Sequence, residues 1–252
     1  MKIVRFRAAE KTVYGVLEGS HVVEYTGTPF GAFARKRRRF QRSQVVLLAP
    51  VLPGKIIGVG PNYREHAYDP DAPAPPAPPL YLKPTSAVCG PDDPIVVPGV
   101  ADVVWPEAAL AIVIKKRCRH VAPERVREHV LGFTALNDVM APCLGAAEGD
   151  VLRTRGHDTF APLGPCIATD LDPTGVEVAA WVNGEARQIA NTKDLICPVE
   201  ELIAHVAAIM TLLPGDVVST GTAAGSGPMR PGDKVEVRID GIGCLKNPVI
   251  AL

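Results

Sequence analysis

Short apolar runs cut off by glycine and proline constrain this chain more than any other feature. Lys55-Ile-Ile-Gly-Val59 and Leu80-Tyr-Leu82 span only a few residues before such a break. Breaks this close together leave room for strands and turns but not for long helices. Leu110-Ala-Ile-Val-Ile114 is continuous and rich in β-branched residues, the pattern of a strand buried on both faces. Asn183-Gly184 separates Val176–Val182 from Ala186–Ile189 and tolerates the positive φ of a type I′ turn, which predicts a hairpin. Val235, Val237 and Ile239 alternate with Glu236 and Arg238, predicting a half-exposed strand. Two segments read as helices. Val199–Leu212 lines up Val199, Leu202, Ile203, Val206, Ile209 and Met210 on one stripe. Pro123–Val130 opens on a proline and sets Val126 and Val130 one turn apart. The sum is a β-rich α+β chain.

The first fifty residues read as a small N-terminal β subdomain (1–50) ahead of a larger catalytic domain (51–252). Val4, Phe6 and Ala8 alternate with Arg5 and Arg7, and Val13–Leu17 and His21–Tyr25 follow turn-like breaks. Arg35–Arg42 is a basic cluster, expected as a solvated loop or helix face, or as a docking patch for an acidic partner. With 27 basic and 27 acidic residues the formal charge is zero, so nothing global points to nucleic acid or a membrane surface. No apolar run approaches a membrane span, and the N-terminus lacks a signal-peptide core, so a cytoplasmic location is expected. Six cysteines without CxxC spacing give no zinc signature.

A row of blocks carries the functional signal. Gly58-Val-Gly-Pro-Asn-Tyr63 leads to His66; Leu80-Tyr-Leu-Lys-Pro84 and Asp158-Thr-Phe-Ala-Pro-Leu-Gly-Pro165 follow. Then come Val182-Asn-Gly-Glu185 with Gln188, Leu213-Pro-Gly-Asp216, Thr220-Gly-Thr222, Pro231-Gly-Asp233 and Gly241-Ile-Gly243. Together these resemble the fumarylacetoacetate hydrolase family, whose members cleave, decarboxylate or isomerise 2-oxo and 1,3-dioxo acids with a divalent metal. The resemblance implies a mixed β-sandwich roll, a homodimer, a small oxo acid as substrate and Mg2+ or Mn2+ as cofactor.

It also implies which residues do the chemistry. The family's Glu-x-Glu pair falls on Glu107 and Ala109, and its aspartate on Asp138, so two carboxylates stand where three are expected. Pro142 and Gly145 occupy positions of a substrate-binding arginine and an amide, and Ala223 that of a proline. The catalytic lysine position holds Arg155, which can clamp a carboxylate but does not give up its proton near neutral pH. Gly221 and Thr222 are the implied substrate-carboxylate contacts. His66 with Asp69 three residues on is the expected acid/base dyad, with Glu65 a competitor for Asp69's role. His157 is a further candidate ligand or proton relay, and the Pro-rich stretch 68–79 a candidate lid. Three readings stay open: an enzyme using a metal held by Glu107, Asp138 and the substrate; a metal-free decarboxylase, isomerase or tailoring enzyme using His66 and Arg155; and a non-catalytic binding or partner protein.

Overall fold

The apolar run around Leu110 is the axis of the fold. It forms the strand Ala108–Ile114, buried at every residue, because a run with no polar alternation has no face to offer water. The computed structural model describes residues 1–66, with His66 by its backbone only, 78–145 and 150–252. Ala108–Ile114 pairs antiparallel with Val130–Asn137 on one side and Val217–Ser219 on the other. The sheet continues from Val217–Ser219 to the parallel strand Ile56–Val59 and ends at the edge strand Leu80–Lys83. In the other direction it runs through Ala161–Ala168 to Lys2–Ala8, Lys11–Glu18, His21–Gly27 and Phe33–Gln41. The N-terminal strands thus continue the main sheet, with Ile3 opposite Ile167.

A second sheet holds the hairpin Glu177–Val182/Glu185–Asn191, then Lys234–Ile239, Gly243–Ala251 and Ile95–Val97. Its turn has Asn183 at φ 53° and Gly184 at φ 83°, the two positive values that the Asn-Gly pair was expected to supply. Val235, Val237 and Ile239 point inward as expected. Leu110 and Ile112 of the first sheet share one apolar cluster with Val178, Ala180, Val237 and Leu245 of the second. The architecture is an α+β fold of two mixed, facing sheets.

Three segments differ from their expected forms. The helix Val199–Ile209 buries Val199, Leu202, Ile203 and Val206 as expected, but turns extended at Met210. Leu212 then bridges to Cys118, and the following Leu213-Pro214 cannot continue a helix. Pro123–His129 is a 3-10 helix, and Val130 already belongs to a strand. Its one buried side chain, Val126, gives an α-helix little to pack on. The basic cluster is neither loop nor helix. It lies in the sheet-edge strand Phe33–Gln41, where Arg35 pairs with Glu18 and Lys36 with Glu24. A run of exposed cations along an edge strand discourages pairing with other chains.

Candidate active site

Two adjacent strand ends bring the surviving carboxylates together. Glu107 directly precedes Ala108–Ile114, and Asp138 directly follows Val130–Asn137. The Asp138 amide donates to the Glu107 carbonyl at 2.8 Å, and the Glu107 amide donates to Asn137 Oδ1 at 3.0 Å. Ala109 shares Glu107's face of the strand, because side chains two apart point the same way. There it packs with Leu136, Ala161 and Leu163 in a fully apolar cluster.

Arg155 closes the group from the short helix Val151–Arg155. Asp150 caps that helix through the Arg153 amide, and the Ala141 amide ties it down by donating to the Thr154 carbonyl at 2.8 Å. The Arg155 guanidinium grips Glu107 with both arms, Nη1 to Oε2 at 2.7 Å and Nη2 to Oε1 at 2.9 Å. Nη1 also approaches Asp138 Oδ1 at 3.4 Å, while Nη2 faces the sulfur of Met140 at 3.3 Å. On the far side, Lys83 Nζ donates to Asp138 Oδ1 at 2.8 Å and to the Val139 carbonyl at 3.0 Å. The Tyr81 hydroxyl donates to Asp138 Oδ2 at 2.7 Å, and the guanidinium lies 5.0 Å from the Tyr81 ring centre.

The electrostatics follow from burial set against pairing. Burial works against an ionised Asp138, but Lys83 and Arg155 outweigh it and hold its pKa below the usual aspartate value. Burial raises the Glu107 pKa, with Arg155 pulling it back. Both Glu107 oxygens accept from the guanidinium, so the carboxylate is ionised. Burial lowers the Lys83 pKa against the pull of Asp138, and burial with Asp138 raises the Tyr81 hydroxyl well above its ordinary value. Burial also opposes the charge on Arg155, yet Asp138 and Glu107 raise its pKa further.

This donor set does not fit a divalent cation. Both oxygens of Glu107 and both of Asp138 already accept hydrogen bonds from protein donors, and the third ligand position is a methyl group in the core. Among the described residues no three His, Cys, Asp or Glu side chains cluster as a metal site would require.

A cavity of about 350 Å³ opens directly over Arg155 and Glu107, walled by Trp105, Met140, Gly60 and Thr222. Thr222 therefore stands at the cavity with Arg155, and Gly221 directly precedes it in the loop. Gly221 has φ +85°, and a Cβ there would meet the Gly60 carbonyl at 3.0 Å, so only glycine brings this loop so close to the neighbouring one. Thr222 Oγ1 donates to the Ala108 carbonyl at 2.8 Å and accepts from Gln188 Nε2 at 2.9 Å. Asn62 holds the loops in register: its amide donates to the Cys197 and Thr220 carbonyls and accepts from the Cys197 amide.

The remaining candidates are placed apart or not described. His66 ends the turn Arg64–His66, and Asp69 and most of the Pro-rich stretch lie outside the described residues. His157 Nε2 bonds the Arg153 carbonyl at 2.8 Å, and its ring packs on Phe160. Pro142 lies in a 3-10 turn that ends at Gly145. Lys83, Tyr81 and Gln188 lie inside the sequence blocks, but the blocks alone assign them no task. A lysine two residues from a tyrosine in an otherwise apolar strand was the available signal, since that spacing puts both on one face. Gln188, from the second sheet, accepts from the Ala108 amide at 3.0 Å and donates to Thr222 and Ala223, tying the two sheets together at the cavity.

The fold has relatives. A family model described as Fumarylacetoacetate (FAA) hydrolase C-terminal matches residues 55–250, and one described as Rv2993c-like, N-terminal matches residues 1–50. The structure of 5-carboxymethyl-2-hydroxymuconate delta-isomerase from Mycobacterium smegmatis is 41% identical, with a TM-score of 0.94 and complete coverage of both chains. A bovine mitochondrial oxaloacetate tautomerase, FAHD2A, is 37% identical over 83% of this chain and 71% of its own length. A maleylpyruvate hydrolase from Sphingobium sp. SYK-6, solved with manganese and pyruvate, is 32% identical with a TM-score of 0.83, covering 100% of this chain and 99% of its own. The blocks along the sequence and the two-sheet roll have one common source, and the chain belongs to the fumarylacetoacetate hydrolase family.

Proposed function

We propose that this protein is an enzyme that moves a proton beside the carbonyl of a 2-oxo acid, interconverting keto and enol or double-bond isomers. The observation that carries the reading is a half-buried cation, Arg155, fixed at a cavity of about 350 Å³. Removing a proton from the carbon next to a ketone puts negative charge on the carbonyl oxygen. A guanidinium already in place stabilises that charge without rearranging when it forms. The Gly221-Thr222 loop at the cavity wall receives the substrate carboxylate, and His66, with Asp69, moves the proton. Two relatives support this class, because the names of both, isomerase and tautomerase, denote redistribution of atoms within one molecule. As proposed, the protein works as a homodimer in the cytoplasm.

The test follows the ultraviolet absorbance of enol-oxaloacetate and of a 2-hydroxymuconate-type dienol as each converts. The wild-type protein accelerates at least one conversion, and Arg155→Gln lowers kcat about 100-fold or more. No acceleration of any 2-oxo acid tried, with the fold intact by circular dichroism, refutes the reading.

A further inference from the structure

We propose that the Arg155 guanidinium is the resident cation of this site, in place of the divalent metal that the family resemblance implies, so that the site needs none. Three observations converge. The fork from Arg155 consumes both oxygens of Glu107, at 2.7 and 2.9 Å. Lys83, Tyr81 and the same guanidinium consume both oxygens of Asp138. Ala109, on Glu107's face of the strand, puts a methyl group in the core where a third carboxylate belongs. The charges also close: Glu107 and Asp138 are matched by Arg155 and Lys83. A divalent ion here would add two positive charges beside two cations already within hydrogen-bonding distance of the same oxygens.

Arginine suits the position for reasons lysine does not share. Its planar fork meets a carboxylate along two bonds, and its charge persists at every pH at which the protein folds. The contact that leads out of the cluster is Nη2 to Met140 Sδ, a weak acceptor on the cavity wall. A substrate oxygen that displaces the sulfur exchanges a weak bond for a charge-assisted one. The inference rests on the proton-transfer reading for its substrate but not for its cation, so the deciding experiment reads metal directly.

Manganese is titrated into the purified protein, bound ion is counted by the loss of the free-ion paramagnetic resonance signal, and melting is followed in parallel. Wild type takes up no manganese to millimolar concentration, and its melting temperature does not move. The double variant Ala109→Glu/Arg155→Lys takes up one ion per chain and melts about 5 °C or more higher when saturated. Should the glutamate in the core prevent folding, Arg155→Lys alone frees part of Glu107 and shows a smaller manganese-dependent rise. Stoichiometric uptake by wild type at micromolar manganese overturns the proposal. So does a folded set of variants that binds no better than wild type, since Arg155 and Ala109 would then not be what excludes the metal. If no substrate turns over, the function reading fails while the manganese result stands.

Discussion

Lys83 is the side chain on which the charge cluster is built outward from the core. It has no side-chain exposure and gives two of its three N–H bonds to Asp138 Oδ1 and the Val139 carbonyl. Replacing it with methionine keeps the volume but strands the carboxylate of Asp138 with less than its share of positive charge. Lys83→Met is expected to cost about 3–5 kcal/mol in urea unfolding, as removal of one partner of a buried pair does. Lys83→Met/Asp138→Asn, which removes both charges, should recover much of that loss; no recovery would show that the pair is not the source. The sequence made Glu107, Asp138 and Arg155 readable as site residues because each sits in a recognisable block. Lys83 was not readable in the same way, because its partner lies 55 residues away and only the sheet brings them together. Nor did the sequence show that Arg155 would turn toward Glu107 rather than toward open solvent.

At the scale of elements, two glycines with similar backbones differ in what surrounds them. Gly184 has φ 83° and nothing within 4 Å of a Cβ, whereas Gly221 has φ 85° and the backbone of the next loop at 3.0 Å. Gly184→Ala should therefore cost only the left-handed conformation, about 1 kcal/mol. Gly221→Ala adds displacement of the loop that carries Thr222, and is expected to cost about 2–3 kcal/mol and to lower turnover. Equal losses in thermal unfolding for the two variants would contradict this account. The same contrast explains what could be foreseen. The hairpin at Asn183-Gly184 and the buried strand around Leu110 follow from local chemistry, so they were legible. Phe33–Gln41 is a strand only because His21–Gly27 offers it a ladder, and nothing in five consecutive cationic residues announces that.

Across the whole molecule, the edge at Leu80–Lys83 is the face least like a finished surface. Leu82 is 54% exposed and Ile209 is 55% exposed, and they flank one apolar groove with Leu80 and Met210. In the proposed homodimer, a second copy would cover this groove. Leu82→Glu should shift the particle mass in light scattering from about twice the chain mass of 26.7 kDa toward that of one chain. A wild-type mass of one chain would remove the dimer. The opposite end of the sheet is closed by its own charges, and the N-terminal strands, joined through Ile3 and Ile167, extend the core as part of the same sheet. One feature of the second sheet also sets a clock on the molecule. An Asn-Gly bond is prone to deamidation, because the glycine nitrogen meets no neighbouring side chain as the ring closes. Asn183 donates to Asp233 at 2.7 Å, so the aspartate left by that reaction would face another carboxylate. The hairpin it loosens is the one that carries Gln188 to the cavity, so chemical ageing at a distant turn would reach the active site as lost alignment.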